Sequence, residues 1–150
     1  MKFRYTQFPS RDKNFPYFIH PLVNVTFYTG PAKYYKVKGI IDSGADQTLL
    51  NADIAKQWNI DYKKLPLSQT VGIDGKPIKV YLFDLEMELD QIANSRVRTR
   101  IGFIQSTSVG VLLGKYGFLE HFRITLEAYN EEFYVELKPP PPPIAGPPVP

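Results

Sequence analysis

The chain is predicted to fold as an all-β domain with two short helices, and three observations carry that expectation. Aromatic residues make up 14% of the sequence, ten tyrosines among them, and such side chains favour the pleated, half-buried surface of a strand. Apolar and polar residues alternate in several short runs, such as Val23, Val25 and Phe27, which is the period of a strand with one face on a core. Between the runs lie Gly, Pro and Asp clusters that punctuate strands.

Taken in order, the residues up to about Asn14 are polar and predict an irregular N-terminal arm, drawn over residues 1–16. Val23, Val25 and Phe27 mark a first strand, and Thr29-Gly30-Pro31 is turn chemistry. A second strand runs from about Tyr34 to Ile41 and delivers Asp42. In Asn51–Trp58, Asn51 suits an N-cap, Asp53 suits the positive end of the dipole, and Ile54 and Trp58 share a face, so a helix of about two turns is expected. Val71–Val80 reads as a hairpin, with Asp74-Gly75 as a two-residue type I′ turn. Tyr81–Leu89 continues as strand. Arg96, Arg98 and Arg100 alternate with Val97, Thr99 and Ile101, a strand with one basic face. Gly110-Val111-Leu112-Leu113-Gly114 predicts a buried strand, Lys115–Phe122 a second short helix, and Arg123–Ala128 with Glu132–Leu137 a final hairpin. The domain is drawn over 17–138. From Pro139 the tail, 139–150, is almost all proline, alanine, glycine and valine; it cannot pack a core and is expected as polyproline II or without fixed structure.

Composition narrows the function classes. At 150 residues with 43% hydrophobic content, one domain with a sizeable core is expected,. The chain has no cysteine, which excludes disulfides, thiolate nucleophiles and cysteine-based zinc sites. Its two histidines, His20 and His121, are too few for a His-rich site and lack metal-ligand spacing, so no metal is expected. A net charge of +3 does not argue for nucleic acid or anionic membrane as partner. The first residues lack an apolar signal region, and no apolar stretch is long enough to cross a bilayer, so a cytoplasmic protein is the default expectation. Asn24-Val25-Thr26 matches a glycosylation sequon but reads as strand.

The most informative stretch is Lys38-Gly39-Ile40-Ile41-Asp42-Ser43-Gly44-Ala45-Asp46-Gln47-Thr48. An apolar strand ends in an acid, a small hydroxyl and a glycine, which places one carboxylate at a tight turn leaving a sheet. Asp-Ser-Gly alone is more often a plain turn. Here the apolar Val37–Ile41 leads into it, the Gly-bearing hairpin Val71–Val80 follows, and Leu112-Leu113-Gly114-Lys115 comes late. With these three ordered motifs, about Pro21 to Leu137 resembles the retropepsin-like aspartic proteases, whose hallmark is Asp-Thr/Ser-Gly-Ala.

That resemblance implies a closed β-barrel with a flap hairpin and one or two short helices. It implies an aspartic endopeptidase that hydrolyses peptide bonds of a polypeptide substrate; a hydrolysis run by carboxylates and water would need no organic cofactor. Because the motif occurs once, it also implies a homodimer in which Asp42 of each subunit supplies one catalytic carboxylate. Ser43, Gly44, Ala45 and Asp46 would form the active-site loop, with the Ser43 hydroxyl bracing the paired loops. Gly72, Ile73, Asp74 and Gly75 would form the flap over the substrate. Leu112, Leu113, Gly114 and Lys115 would brace the loop, Lys115 pairing with Asp46 where family members often carry arginine. Asp74 and Pro77 depart from the usual flap; either would alter closure or favour basic substrates.

Other readings are weaker. Gly110–Tyr116 has three residues between its glycines, and Tyr116 stands where a phosphate loop needs Ser or Thr. The Arg96, Arg98, Arg100 stripe would contact phosphates but reads better as a solvated strand face, as do Asp84, Glu86, Glu88 and Asp90. His121 reads as a capping or surface residue. The main competitor is a catalytically silent module of the same fold that holds a peptide in its groove or recruits a partner through the tail.

Overall fold

The structure is a computed structural model that describes residues 1–72 and 74–139. Its strands are β1 (Lys2–Arg4), β2 (Thr6–Pro9), β3 (Tyr17–His20), β4 (Leu22–Gly30), β5 (Lys33–Ile41), β6 (Leu49–Asn51), β7 (Leu67–Val71), β8 (Pro77–Leu89), β9 (Val97–Ile104), β10 (Val111–Leu113), β11 (Phe122–Glu127) and β12 (Glu132–Leu137); among the described residues there is one α-helix, α1 (Ala52–Gln57), and single 3-10 turns at Tyr62–Lys64 and Ala128–Asn130. Six strands close on themselves in the order β4-β5-β10-β6-β9-β8, because β8 pairs back onto β4. β10 runs parallel to β5, and β6 parallel to β9, so the barrel is mixed. β8 has 13 residues. Its later half belongs to the barrel, and its first half projects with β7 as a hairpin.

The alternation expected at Val23, Val25 and Phe27 puts all three inside, and Leu50, Phe103, Leu113, Phe118, Phe133 and Val135 join them in one core. Trp58, the single tryptophan, stacks on Tyr35 with ring centroids 4.9 Å apart and meets Phe103 edge-on at 6.0 Å. Asn51 caps α1 as expected, its side chain accepting the Asp53 N–H at 2.9 Å. The basic and acidic stripes face each other across β8 and β9: Asp84 opposes Arg100 with an ion pair at 2.6 Å, and Arg96 pairs with Glu86. The arginine face is therefore largely neutralised by its own sheet. Among the described residues no helix is long and apolar enough to cross a membrane.

Three expectations are corrected. The first residues are not irregular. β2 pairs with β3, and β1 pairs with β12, where Phe3 stacks on buried Phe133 at 5.2 Å and Tyr5 meets it edge-on at 5.4 Å; a partner as distant in the chain as β12 leaves no local signal for β1. Lys115–Phe122 is a run of turns rather than a helix. Gly117 sits at φ +94°, outside the helical region, and Tyr116 bridges to Gln47. The flap connection is not a two-residue type I′ turn. The β7–β8 pairing ends at Val71 opposite Pro77, so the connection is longer than two residues; Gly75 takes positive φ, at +76°, and the Gly72 N–H donates to the Lys76 carbonyl at 3.0 Å. Ile73 of that loop and residues 140–150 of the expected tail lie outside the described residues.

Candidate active site

Asp42 follows β5 directly. Its N–H donates to the Leu113 carbonyl at 3.0 Å, and its carbonyl accepts the Ala45 N–H at 3.2 Å, which bends the chain into a turn. The Gly44 N–H donates to Asp42 Oδ1 at 2.8 Å, holding the half-buried carboxylate in one orientation. A Cβ on Gly44 would stand 3.2 Å from that same oxygen, so glycine permits this close approach.

The segment after β10 clamps the loop. Besides the Asp42 bond, Lys115 N–H donates to Ala45 O at 2.9 Å, Tyr116 N–H to Asp46 O at 2.9 Å, and Thr48 N–H to Tyr116 O at 2.8 Å. Gly114 is the crossing point. Its N–H donates to Thr48 Oγ1 at 3.2 Å, and a Cβ there would stand 2.7 Å from Ala45 O. Thr48 is fully buried. Lys115 Nζ reaches Asp46 Oδ1 at 3.1 Å with both side chains mostly exposed. Below the clamp, Thr99 Oγ1 donates to the Gly117 carbonyl at 2.9 Å and lies 3.4 Å from His121 Nε2. Burial lowers the His121 pKa, against a smaller opposing effect of Glu120.

Asp42 lies in a cleft of about 600 Å³. One wall carries Gly44, Ala45, Leu49 and Leu112; the β7–β8 hairpin contributes Thr70, Val71, Gly72, Asp74 and Ile78; the third side is Ile104 and the loop after β9. The walls are chiefly apolar, and Asp42 and Asp74 are the only charged residues among the described lining. The Asp74 carboxylate accepts the Lys76 N–H at 3.0 Å, so part of its role is to shape the turn.

Of the residues singled out by sequence, Asp42, Gly44, Ala45, Gly72, Asp74 and Leu112 share this cleft. Ser43 is exposed at the loop surface, Gly75 lies at the hairpin tip, and Leu113 is fully buried under Gly39. Gly114 and Lys115 act from behind the loop. Sequence reasoning missed Thr48 as the buried acceptor for Gly114, and the wall formed by Gln105, Ser106, Ser108 and Val109. A polar Gln-Ser-Thr-Ser run between two apolar strands is the signal that marks that wall as a loop.

No family model matches the chain, and no curated protein matches its sequence. Solved structures do. A retropepsin-like aspartic protease from Rickettsia conorii superposes with a TM-score of 0.60 at 16% identity, covering 91% of this chain and 98% of that one. The fold is retropepsin-like. The retroviral protease-like domain of Ddi1 from Leishmania major matches with a TM-score of 0.53 at 13% identity over 80% of this chain and 94% of that one. EIAV protease, complexed with the inhibitor HBY-793, matches with a TM-score of 0.50 at 14% identity over 64% and 82%. In this retropepsin-like barrel, Asp42 occupies the turn after β5, below the β7–β8 hairpin.

Proposed function

We propose that the chain is an aspartic endopeptidase whose active unit is a homodimer, with Asp42 of each subunit forming the acid–base pair. The observation that carries this reading is the placement of Asp42: an oriented carboxylate in an apolar cleft, under a projecting hairpin, on a loop clamped by four backbone hydrogen bonds. One chain supplies one carboxylate, and a twofold axis through the loop brings its symmetry mate. Exposed Ser43 stands beside it to brace the paired loops.

Two carboxylates at contact distance cannot both ionise, so they share a proton. The ionised one takes a proton from water, whose oxygen attacks the peptide carbonyl carbon. The protonated one donates to the carbonyl oxygen. A proton then passes to the amide nitrogen as the C–N bond breaks. General acid–base help of this kind is worth roughly 100- to 10,000-fold for each transfer. The β7–β8 hairpin would fold over an extended peptide and bond its backbone by strand addition.

The test is cleavage of an unfolded peptide library by wild type and Asp42→Asn, side by side, over a range of enzyme concentrations. Cleavage by wild type alone, with specific activity rising with concentration, is the expected result. Equal cleavage by both removes Asp42 from the chemistry. No cleavage by a protein shown to be folded and dimeric favours the peptide-holding module.

A further inference from the structure

We propose that the Asp42 cleft continues past Gln105 into a second subsite, one that takes an uncharged amide side chain, of glutamine or asparagine type, from the bound peptide. The inference rests on the peptide-cleaving reading and adds a substrate preference to it. A cleft of about 550 Å³ lies beside α1, with Asp53, Lys56, Tyr62, Gln105, Ser106 and Thr107 among its walls. Gln105 and Ser106 also line the Asp42 cleft, so the two spaces share these residues as walls.

The junction is held in place from both sides. Gln105 Nε2 donates to the Tyr62 hydroxyl at 2.8 Å. Asn51 Nδ2 donates to the carbonyls of Ser106 and Val109, the latter at 3.0 Å. The same Asn51 caps α1, so the loop wall and the helix form one unit. Tyr62 itself is buried, 4% exposed, and packs edge-on against Tyr81 at 5.1 Å.

The two spaces differ in chemistry. The Asp42 side is chiefly apolar, whereas the far side is chiefly polar and holds an Asp53–Lys56 ion pair at 2.6 Å. That pair presents a carboxylate acceptor and ammonium donors side by side. A cationic or anionic ligand group would gain one of them as a partner and meet a like charge at the other. An amide carries a donor and an acceptor with no net charge and complements both. An extended peptide turns alternate side chains to the same side, so an aliphatic residue in the Asp42 cleft and an amide residue further along can be held together.

The experiment compares wild type, Gln105→Ala and Lys56→Met on peptides that carry Gln, Glu, Lys or Ala at each position flanking the cleaved bond. The readout is the ratio of kcat/KM for the Gln and Ala peptides within each variant, after thermal melts show all three folded. The same peptides are titrated onto the three proteins carrying Asp42→Asn. Wild type should prefer Gln over Ala at one position by about three- to tenfold, the worth of one net hydrogen bond. Lys56→Met should lose that preference, and Gln105→Ala should also relax the neighbouring aliphatic position. Cleavage with no amide preference, or with equal loss at every position, overturns the subsite alone. A preference seen in binding without any cleavage by wild type supports the subsite and overturns the protease reading. Failure of any peptide to bind or be cut overturns both.

Discussion

Gly114 lies so close to Gln47 that a Cβ on the glycine would stand 2.3 Å from the Gln47 carbonyl oxygen. Two segments far apart in the chain therefore cross backbone to backbone, and the loop bearing Asp42 hangs from that crossing. Gly114→Ala should cost about 1–3 kcal/mol of stability through overpacking. A displacement of the loop by about 1 Å should lower peptide cleavage by roughly 100-fold. Gly110→Ala is the control, since nothing lies within 4 Å of a Cβ there, and it should stay within about 0.5 kcal/mol of wild type. Urea unfolding and cleavage assays on both variants check the pair.

Thr48 supplies the acceptor for the buried Gly114 N–H at 3.2 Å. Thr48→Val keeps the shape and removes the oxygen, leaving that N–H unpaired. It should cost about 1–3 kcal/mol, read as a shift of the urea midpoint with unchanged slope. Thr48→Ser, which keeps the hydroxyl, should recover most of the loss due to the missing hydrogen bond.

The Lys115–Asp46 pair at 3.1 Å is exposed on both sides. Exposed pairs are worth little, so Lys115→Met should change stability by less than about 1 kcal/mol, and the change should shrink in high salt. A double-mutant cycle with Asp46→Asn measures the coupling. Lys115→Arg should strengthen it, because the guanidinium offers a bidentate fork.

His121 gives stability a pH dependence with a defined sign. Burial lowers its folded-state pKa below the ordinary 6.5, with Glu120 opposing and Lys138 adding to that shift. The unfolded chain therefore takes up its proton first as the pH falls. The stability from the neutral ring is present above pH 6.5 and declines as the pH falls below it towards the folded value. His121→Gln should flatten the stability profile in that window, measured by chemical unfolding from pH 7.5 to 5. Asp84 also contributes, its pKa lowered chiefly by the hydrogen bond from Arg100; its share is lost only as the pH falls below 3.8, so the two are separable.

Much of the site was legible because its signals are local. Alternation marked β4, an apolar run marked the strand that leads into Asp42, Asn51 announced the cap of α1, and the Gly-bearing hairpin at 71–80 was evident from turn chemistry. The stretch after Lys115 was misread for an equally physical reason. Its residues have acceptable helix propensity, but the Tyr116–Gln47 bridge and the positive φ of Gly117 override it. The arm was misread because β1 gains its order from Phe133, some 130 residues away, and not from its neighbours.

By itself, the sequence determined the all-β class, most of the strands from β4 onward and the turn that presents Asp42, since side-chain periodicity and turn chemistry act over a few residues. Only the tertiary structure decided which strands pair, how β10 and the chain after it pass behind the Asp42 loop, and that Gln105 borders both an apolar cleft and a polar one. Those features depend on contacts between segments whose separation in the chain carries no signal until the core has brought them together.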